Sequence, residues 1–162
     1  MTFRIETYSG KEQNQIVDLI LHIQTKEFGL PVTIDHQPDL LQIQSFYQKG
    51  AGNFWVASDA KRVIGTIALI DIDNKQGAIR KMFVAKEYRG KEFGVAQQLL
   101  EGLIRWAREK EINEILLGTV AQFVAAHRFY EKNGFIEIPK DTLPKNFPIV
   151  PIDTKFYRLK LS

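Results

Sequence analysis

The chain has 162 residues, 44% of them hydrophobic, which suits one domain with a sizeable core. It has no cysteine, excluding disulfides and thiol chemistry, and His22, His36 and His127 form no cluster with metal-ligand spacing, so no metal is expected. A net charge of +3 and a pI of about 9.1 favour an anionic ligand, but acids and bases alternate too freely for a nucleic-acid arm.

Phe3 to Tyr8 reads as an opening strand. Ile16, Ile20 and Ile23 recur at helical spacing between Ser9-Gly10 and Gly29, which predicts a first helix. Pro31 and Pro38 interrupt it. Asp39 is placed as the cap of a second helix running through Phe46 and Tyr47 and ending before Gly50 and Gly52. Phe54 to Ser58 and Arg62 to Ile70 form a hairpin around Asp59-Ala60-Lys61. The second of these strands is apolar on both faces and therefore central. Ala78 to Val84 is a further strand, and Val95, Leu99, Leu103 and Ala107 repeat every four positions along a long helix. A short buried strand, Ile115 to Leu117, precedes a helix whose Phe123, Ala126, His127 and Tyr130 share one face and which ends at Asn133-Gly134. Tyr157, Leu159 and Leu161 alternate on a last strand. These elements make an α/β fold, a mixed sheet with helices on both faces.

Chemistry concentrates in Met82 to Gly94, MFVAKEYRGKEFG, where an apolar strand enters a basic, glycine-bearing turn and then opens a helix. Unpaired N–H groups and the helix dipole at such a place hold phosphate mainly by backbone. Arg89 and Lys91 add mobile positive charge, and Gly90 and Gly94 permit a sharp turn and close ligand approach. An ordinary strand-to-helix connection with solvated cations has the same composition.

This segment resembles motif A of the GNAT superfamily of N-acetyltransferases, a strand followed by Q/R-x-x-G-x-G/A at the start of a helix. Arg89 and Gly94 match its ends, while Glu92 stands where the family usually has its central glycine. Further on, AAHRFYEKNGF, Ala125 to Phe135, resembles motif B, a helix carrying a tyrosine and closed by a glycine-aromatic pair. The order and spacing of the two motifs extend the resemblance over nearly the whole chain, residues 1–162, as a single N-acetyltransferase domain with a mostly antiparallel central sheet.

The resemblance implies acetyl-CoA as co-substrate. It places the pantetheine arm along Met82, Phe83 and Val84, with a backbone N–H near Val84 stabilising the oxyanion. The pyrophosphate then falls to Arg89, Gly90, Lys91, Glu92, Phe93, Gly94 and Val95. Glu92 is expected in a right-handed helical conformation with its carboxylate turned outward. Tyr130 matches the family's general acid, which returns a proton to the departing thiolate, although a tyrosine on an apolar helical stripe also serves as plain packing. Phe123 replaces an asparagine that contacts the cofactor in many relatives. The general base stays unassigned among His127, His36, Glu27, Asp35 and a water chain.

The function implied is transfer of an acetyl group from acetyl-CoA to a primary amine by direct attack. The acceptor is a small molecule or a peptide, bordered by Glu27 to Gln37 and the Pro139 to Pro151 loop. A non-catalytic CoA-binding regulatory module on the same scaffold is the alternative, and homodimerisation is open. A dinucleotide-binding domain is disfavoured because RGKEFG does not make G-x-G-x-x-G. The opening MTFRIETYSG lacks a signal-peptide core and no apolar run reaches membrane-spanning length, so a cytoplasmic protein with no membrane partner is expected.

Overall fold

The computed structural model describes residues 2–161. Its β-strands are β1 (Arg4–Thr7), β2 (Asn53–Ser58), β3 (Val63–Asp71), β4 (Gln76–Val84), β5 (Glu114–Thr119), β6 (Ile136–Ile138) and β7 (Lys155–Lys160). They join in one sheet of order β1-β2-β3-β4-β5-β7-β6, antiparallel throughout except between β4 and β5. The helices are α1 (Gln13–Leu21), α2 (Ile43–Tyr47), α3 (Val95–Glu109) and α4 (Val124–Lys132). The parallel pair exists because α3 is a crossover, returning the chain along one face before β5 begins.

The two faces carry different cores. Leu99, Leu100, Leu103 and Ala107 of α3 and Tyr130 of α4 pack on Ile67, Leu69, Ile79, Ile115 and Leu117. On the opposite face, Ile16 and Ile20 of α1 and Ile43 and Tyr47 of α2 pack on Phe54, Val56 and Ala68. The segment between β6 and β7 covers the rest of that second face, where Phe147 packs with Ala78, Leu116 and Phe156. The near-complete burial of β3 follows from its place between these two layers, as its two-faced apolar sequence predicts.

Several boundaries differ from the sequence reading for physical reasons. The first helix ends in a π-helical stretch, His22–Glu27, that widens the turn before Gly29. Asp39 is not a helix cap: it lies inside a 3-10 turn, Pro38–Leu41, with its carboxylate buried, and α2 is only five residues long. Phe123 is the residue preceding α4, not a member of its apolar stripe. The edge strand β6 is only three residues, IEI, too short for its alternation to announce it, and its Ile136 is 63% exposed.

β4 carries a bulge that matters for the site. Its register against β3 skips between Thr66↔Phe83 and Ala68↔Arg80, and Lys81 takes a positive φ of 54°. The strained residue is held from two sides. Thr66 Oγ1 donates to the Lys81 carbonyl at 2.6 Å, and Lys81 Nζ donates to Gln37 Oε1 at 2.5 Å and lies 3.6 Å from Asp39 Oδ2.

Candidate active site

The pairing of β4 with β5 ends at Ala78↔Leu116. Beyond it β4 runs on to Val84 paired only with β3, and β5 runs on to Thr119 paired only with β7. The sheet therefore opens into a cleft whose walls are two strand edges without partners. Ala85 N–H donates to the Ile64 carbonyl at 2.8 Å across β3, so its neighbour Val84 turns its own N–H and C=O the other way, toward the cleft. Arg89 Nε donates to that Val84 carbonyl at 2.8 Å, which fixes its direction. Met82, Phe83 and Val84 thus sit where an added strand of amide character would lie, with Val84 N–H as the donor available near its end.

At the outer end of β4 the chain turns through Gly90, φ 118°, and Gly94, φ 69°, before α3 starts at Val95. Both glycines occupy conformations that side-chain-bearing residues rarely adopt. Among the described residues, the N–H groups of Gly90, Lys91, Glu92, Val95, Ala96 and Gln97 donate to no backbone acceptor outside the regular elements, while Gln98 N–H already bonds the Gly94 carbonyl at 3.0 Å. Six free donors around one turn, at the positive end of a 15-residue helix, make a cradle for a polyanion. Phe93 anchors the turn by packing on the Tyr88 ring, 5.6 Å between centroids.

The charges around the cradle differ from the sequence reading. Arg89 is not mobile: its guanidinium forms a two-pronged ion pair with Glu27, with Nη2 2.9 Å from Oε1, besides its bond to Val84. Glu92 precedes α3 instead of lying within it. Its φ is not positive, as expected, and it is exposed, but its carboxylate folds back over Gly90 instead of pointing away from the turn. Lys132, which the sequence reading passed over, meets Lys91 across the turn, and direct contact with the Lys91 amine, then its charge, lowers the pKa of Lys132. Two neighbouring ammonium groups, neither paired with a carboxylate among the described residues, form a second feature that a phosphate complements.

Tyr130 lies on α4 beneath the cleft, packed against Phe135 and Tyr157 and only 5% exposed. No fully buried side-chain oxygen or nitrogen among the described residues lacks a partner, and the Tyr130 hydroxyl has none from the protein. The hydroxyl therefore keeps some solvent contact in place of a protein partner. Burial, and secondarily the charge of Asp153, push its pKa up, so the phenol stays protonated at neutral pH.

The base candidates named from sequence are all otherwise engaged or remote in character. His127 Nε2 contacts the Val120 carbonyl at 2.9 Å and so donates there, tying α4 to the turn before it. His36 Nδ1 accepts the Thr33 N–H at 3.0 Å in a capping box. Glu27 is held by Arg89, and Asp35 is exposed. Phe123 packs edge-on against Phe28 at 4.8 Å and Phe83 at 6.2 Å, an aromatic cluster with no polar atom to offer a cofactor.

What sequence reasoning missed is Asp153. A Cβ at Gly118 of β5 would sit 2.7 Å from Asp153 Oδ2, so the glycine makes room for a half-buried carboxylate over the stretch of β5 that β4 no longer pairs. Burial raises its pKa to about 6, against the pull of Arg80 and Lys81 on β4. Arg80 itself is half-buried, with Nη2 donating to the Pro148 carbonyl at 3.0 Å and no carboxylate partner among the described residues. The only advance signal was the absence of a side chain at Gly118, and nothing in the pattern linked it to a loop 35 positions on.

The arrangement can hold an amide-bearing chain between separated strands, its polyanionic end at a helix N-terminus and its far end beside a protonated phenol. Among the described residues no group of His, Asp and Glu is placed to hold a metal ion, and no helix is long and apolar enough to cross a membrane. A profile of the acetyltransferase (GNAT) family matches residues 17–135. A crystal structure of a GNAT-family acetyltransferase from Staphylococcus aureus Mu50 superposes with a TM-score of 0.96 at 37% identity, covering 99% of this chain and all of that one. An acetyltransferase from Streptococcus agalactiae 2603 gives 0.94 at 32% identity, over 98% of each chain. N-acetylaspartate synthetase of Danio rerio is 32% identical over 129 residues, 76% of this chain but 45% of its own length, so the chain spans less than half of that curated relative. The splayed strands, the glycine turn and these matches agree, and the chain belongs to the acetyltransferase (GNAT) family.

Proposed function

We propose that this chain transfers an acetyl group from acetyl-CoA to a primary amine by direct attack. The observation that carries this reading is the cleft between β4 and β5, with free backbone groups along one wall and the unpartnered Tyr130 hydroxyl at its floor. The free backbone edge at Met82 holds the pantetheine amides beside Phe83, whose own amide faces β3, and Val84 N–H is left for the acyl oxygen. The free N–H groups of Gly90, Lys91, Glu92 and Val95 hold the pyrophosphate, with Lys91 and Lys132 adding charge and Phe93 and Gly94 shaping the turn. Acetyl-CoA supplies an activated acyl carbon. The protein's part is to place an amine beside it, steady the negative charge on the acyl oxygen through Val84 N–H, and return a proton to sulfur from Tyr130.

The acceptor enters from the α1 and α2 face, where Arg80 presents a guanidinium with no carboxylate partner among the described residues, Lys81 being paired with Asp39. An amine that also carries a carboxylate, such as an amino acid, suits that charge, and the relatives named N-acetylaspartate synthetase point the same way. The compartment proposed is the cytoplasm, in keeping with an acetyl-CoA-dependent chain that has no cysteine. The test is release of CoA thiol by the purified protein with acetyl-CoA and a panel of primary amines that includes L-aspartate, glycine, spermidine and a lysine peptide.

Arg89 contributes less to phosphate affinity than its position suggests, because Glu27 already neutralises it. Glu27→Gln frees the guanidinium and is expected to tighten CoA binding severalfold at low ionic strength, with a steeper salt dependence than the parent protein. Calorimetric titration at two salt concentrations checks this. Unchanged affinity and slope would mean that Arg89 acts only by bracing the Val84 carbonyl.

A further inference from the structure

We infer that Asp153 takes the proton from the acceptor ammonium, a role that rests on the acetyl-transfer reading above. Four observations converge on it. Its carboxylate lies over Gly118, a β5 position beyond the last β4–β5 pair, in space that the missing side chain keeps open. The backbone around it is fixed: Asp153 N–H donates to the Val150 carbonyl at 2.9 Å and Thr154 N–H to the Thr119 carbonyl at 3.0 Å, so the loop is pinned to the end of β5. No hydrogen-bond donor among the described residues occupies the carboxylate, unlike Glu27 or Asp39. Lastly, the groups facing it are Arg80 and Lys81 from β4 and the Tyr130 hydroxyl from α4, while Gly118 of β5 and Phe156 of β7 bring no charge.

Those surroundings suit a base. Burial brings the carboxylate's pKa to about 6, close enough to neutrality for it to be ionised at rest and to accept a proton in turn. The R–NH3+ group gives one proton to the Asp153 carboxylate, directly or through one water, leaving R–NH2 and a carboxylic acid. The amine nitrogen then bonds the acyl carbon, the carbon–sulfur bond breaks, and the electron pair leaves on sulfur. Tyr130 protonates that sulfur and recovers a proton from the nitrogen, which becomes an amide, and Asp153 returns its proton to solvent. The two residues are coupled in the useful direction. The negative charge of Asp153 holds the Tyr130 phenol in its protonated form, and once Asp153 has taken the ammonium proton that charge is gone, so the phenol becomes the better acid when sulfur departs.

The test compares Asp153→Asn and Asp153→Glu with the parent protein in the amine panel, from about pH 5 to about pH 9. The parent kcat/KM should fall on the acid side with a midpoint of about 6. Asp153→Asn should lose about a hundredfold or more at neutral pH and lose that acid limb, with acetyl-CoA affinity unchanged by calorimetry. Asp153→Glu should restore part of the rate with a displaced midpoint. In the free protein, carbon NMR should show one carboxyl group titrating at about 6 that vanishes in Asp153→Asn. An Asp153→Asn protein with the parent's rate and acid limb overturns the inference and leaves the acetyl-transfer reading standing. A parent protein that acetylates none of the amines overturns both.

Discussion

Tyr130→Phe is expected to lower kcat by about tenfold to ten-thousandfold while acetyl-CoA affinity stays the same, because the change deletes only the proton that a departing thiolate receives. The structure sharpens this expectation. A buried tyrosine whose hydroxyl serves the fold costs roughly 1 kcal/mol or more when that oxygen is removed, since its partner is left unpaired. Tyr130 has no such partner, and the ring keeps its packing against Phe135 and Tyr157 in the variant. Thermal stability should therefore hold while turnover falls. Parent-like turnover in the folded variant would remove Tyr130 from proton transfer and leave water as the donor.

The second large effect is on folding. Asp39→Ala should lower stability by about 3 kcal/mol, roughly 10 °C in Tm for a domain of this size. Asp39 accepts the Tyr47 hydroxyl at 2.5 Å and lies 3.6 Å from Lys81 Nζ, and both charged side chains are only 9% exposed. Removing the carboxylate strands a buried ammonium whose pKa burial already lowers. It also slackens the β4 bulge, because Lys81 is the residue held at positive φ. The cost belongs to the broken pair and not to the loss of polarity. Asp39→Leu combined with Lys81→Met should then recover much of the stability, as apolar replacements of buried pairs often do. A loss below about 1 kcal/mol in the single variant would mean that solvent reaches the pair.

The same residues explain what could be read in the sequence and what could not. The motif from Met82 to Gly94 was legible because backbone needs a glycine at Gly90 and Gly94, and positive φ leaves a mark on composition. Tyr130 and the Asn133-Gly134 stop were legible for the same kind of local reason, helical spacing and a glycine at φ 92°. The central strand declared itself through apolar residues on both faces.

Long-range pairing left no such trace. Arg89 reads as a free cation until the fold brings Glu27, 62 positions earlier, against it. Asp39 reads as a helix cap because capping is a local rule, whereas its actual partners are a tyrosine one helix on and a lysine 42 positions away on a strained strand. Asp153 lies in a loop with no periodicity. Its place at the cleft depends on Phe147 packing on Phe156 and Leu116, and on the empty space at Gly118. The π-helical stretch and the exposed edge strand β6 are likewise products of tertiary contact instead of propensity.

The central claim, acetyl transfer at the β4–β5 cleft, is tested most directly by following thiol release and acetylated product together in one reaction of purified protein, acetyl-CoA and the amine panel. At least one primary amine should be acetylated in step with CoA release, and Tyr130→Phe, folded and still binding acetyl-CoA, should lower both by about tenfold or more. Tight CoA binding with no release above the spontaneous rate for any amine would contradict it and make the chain a CoA-binding module.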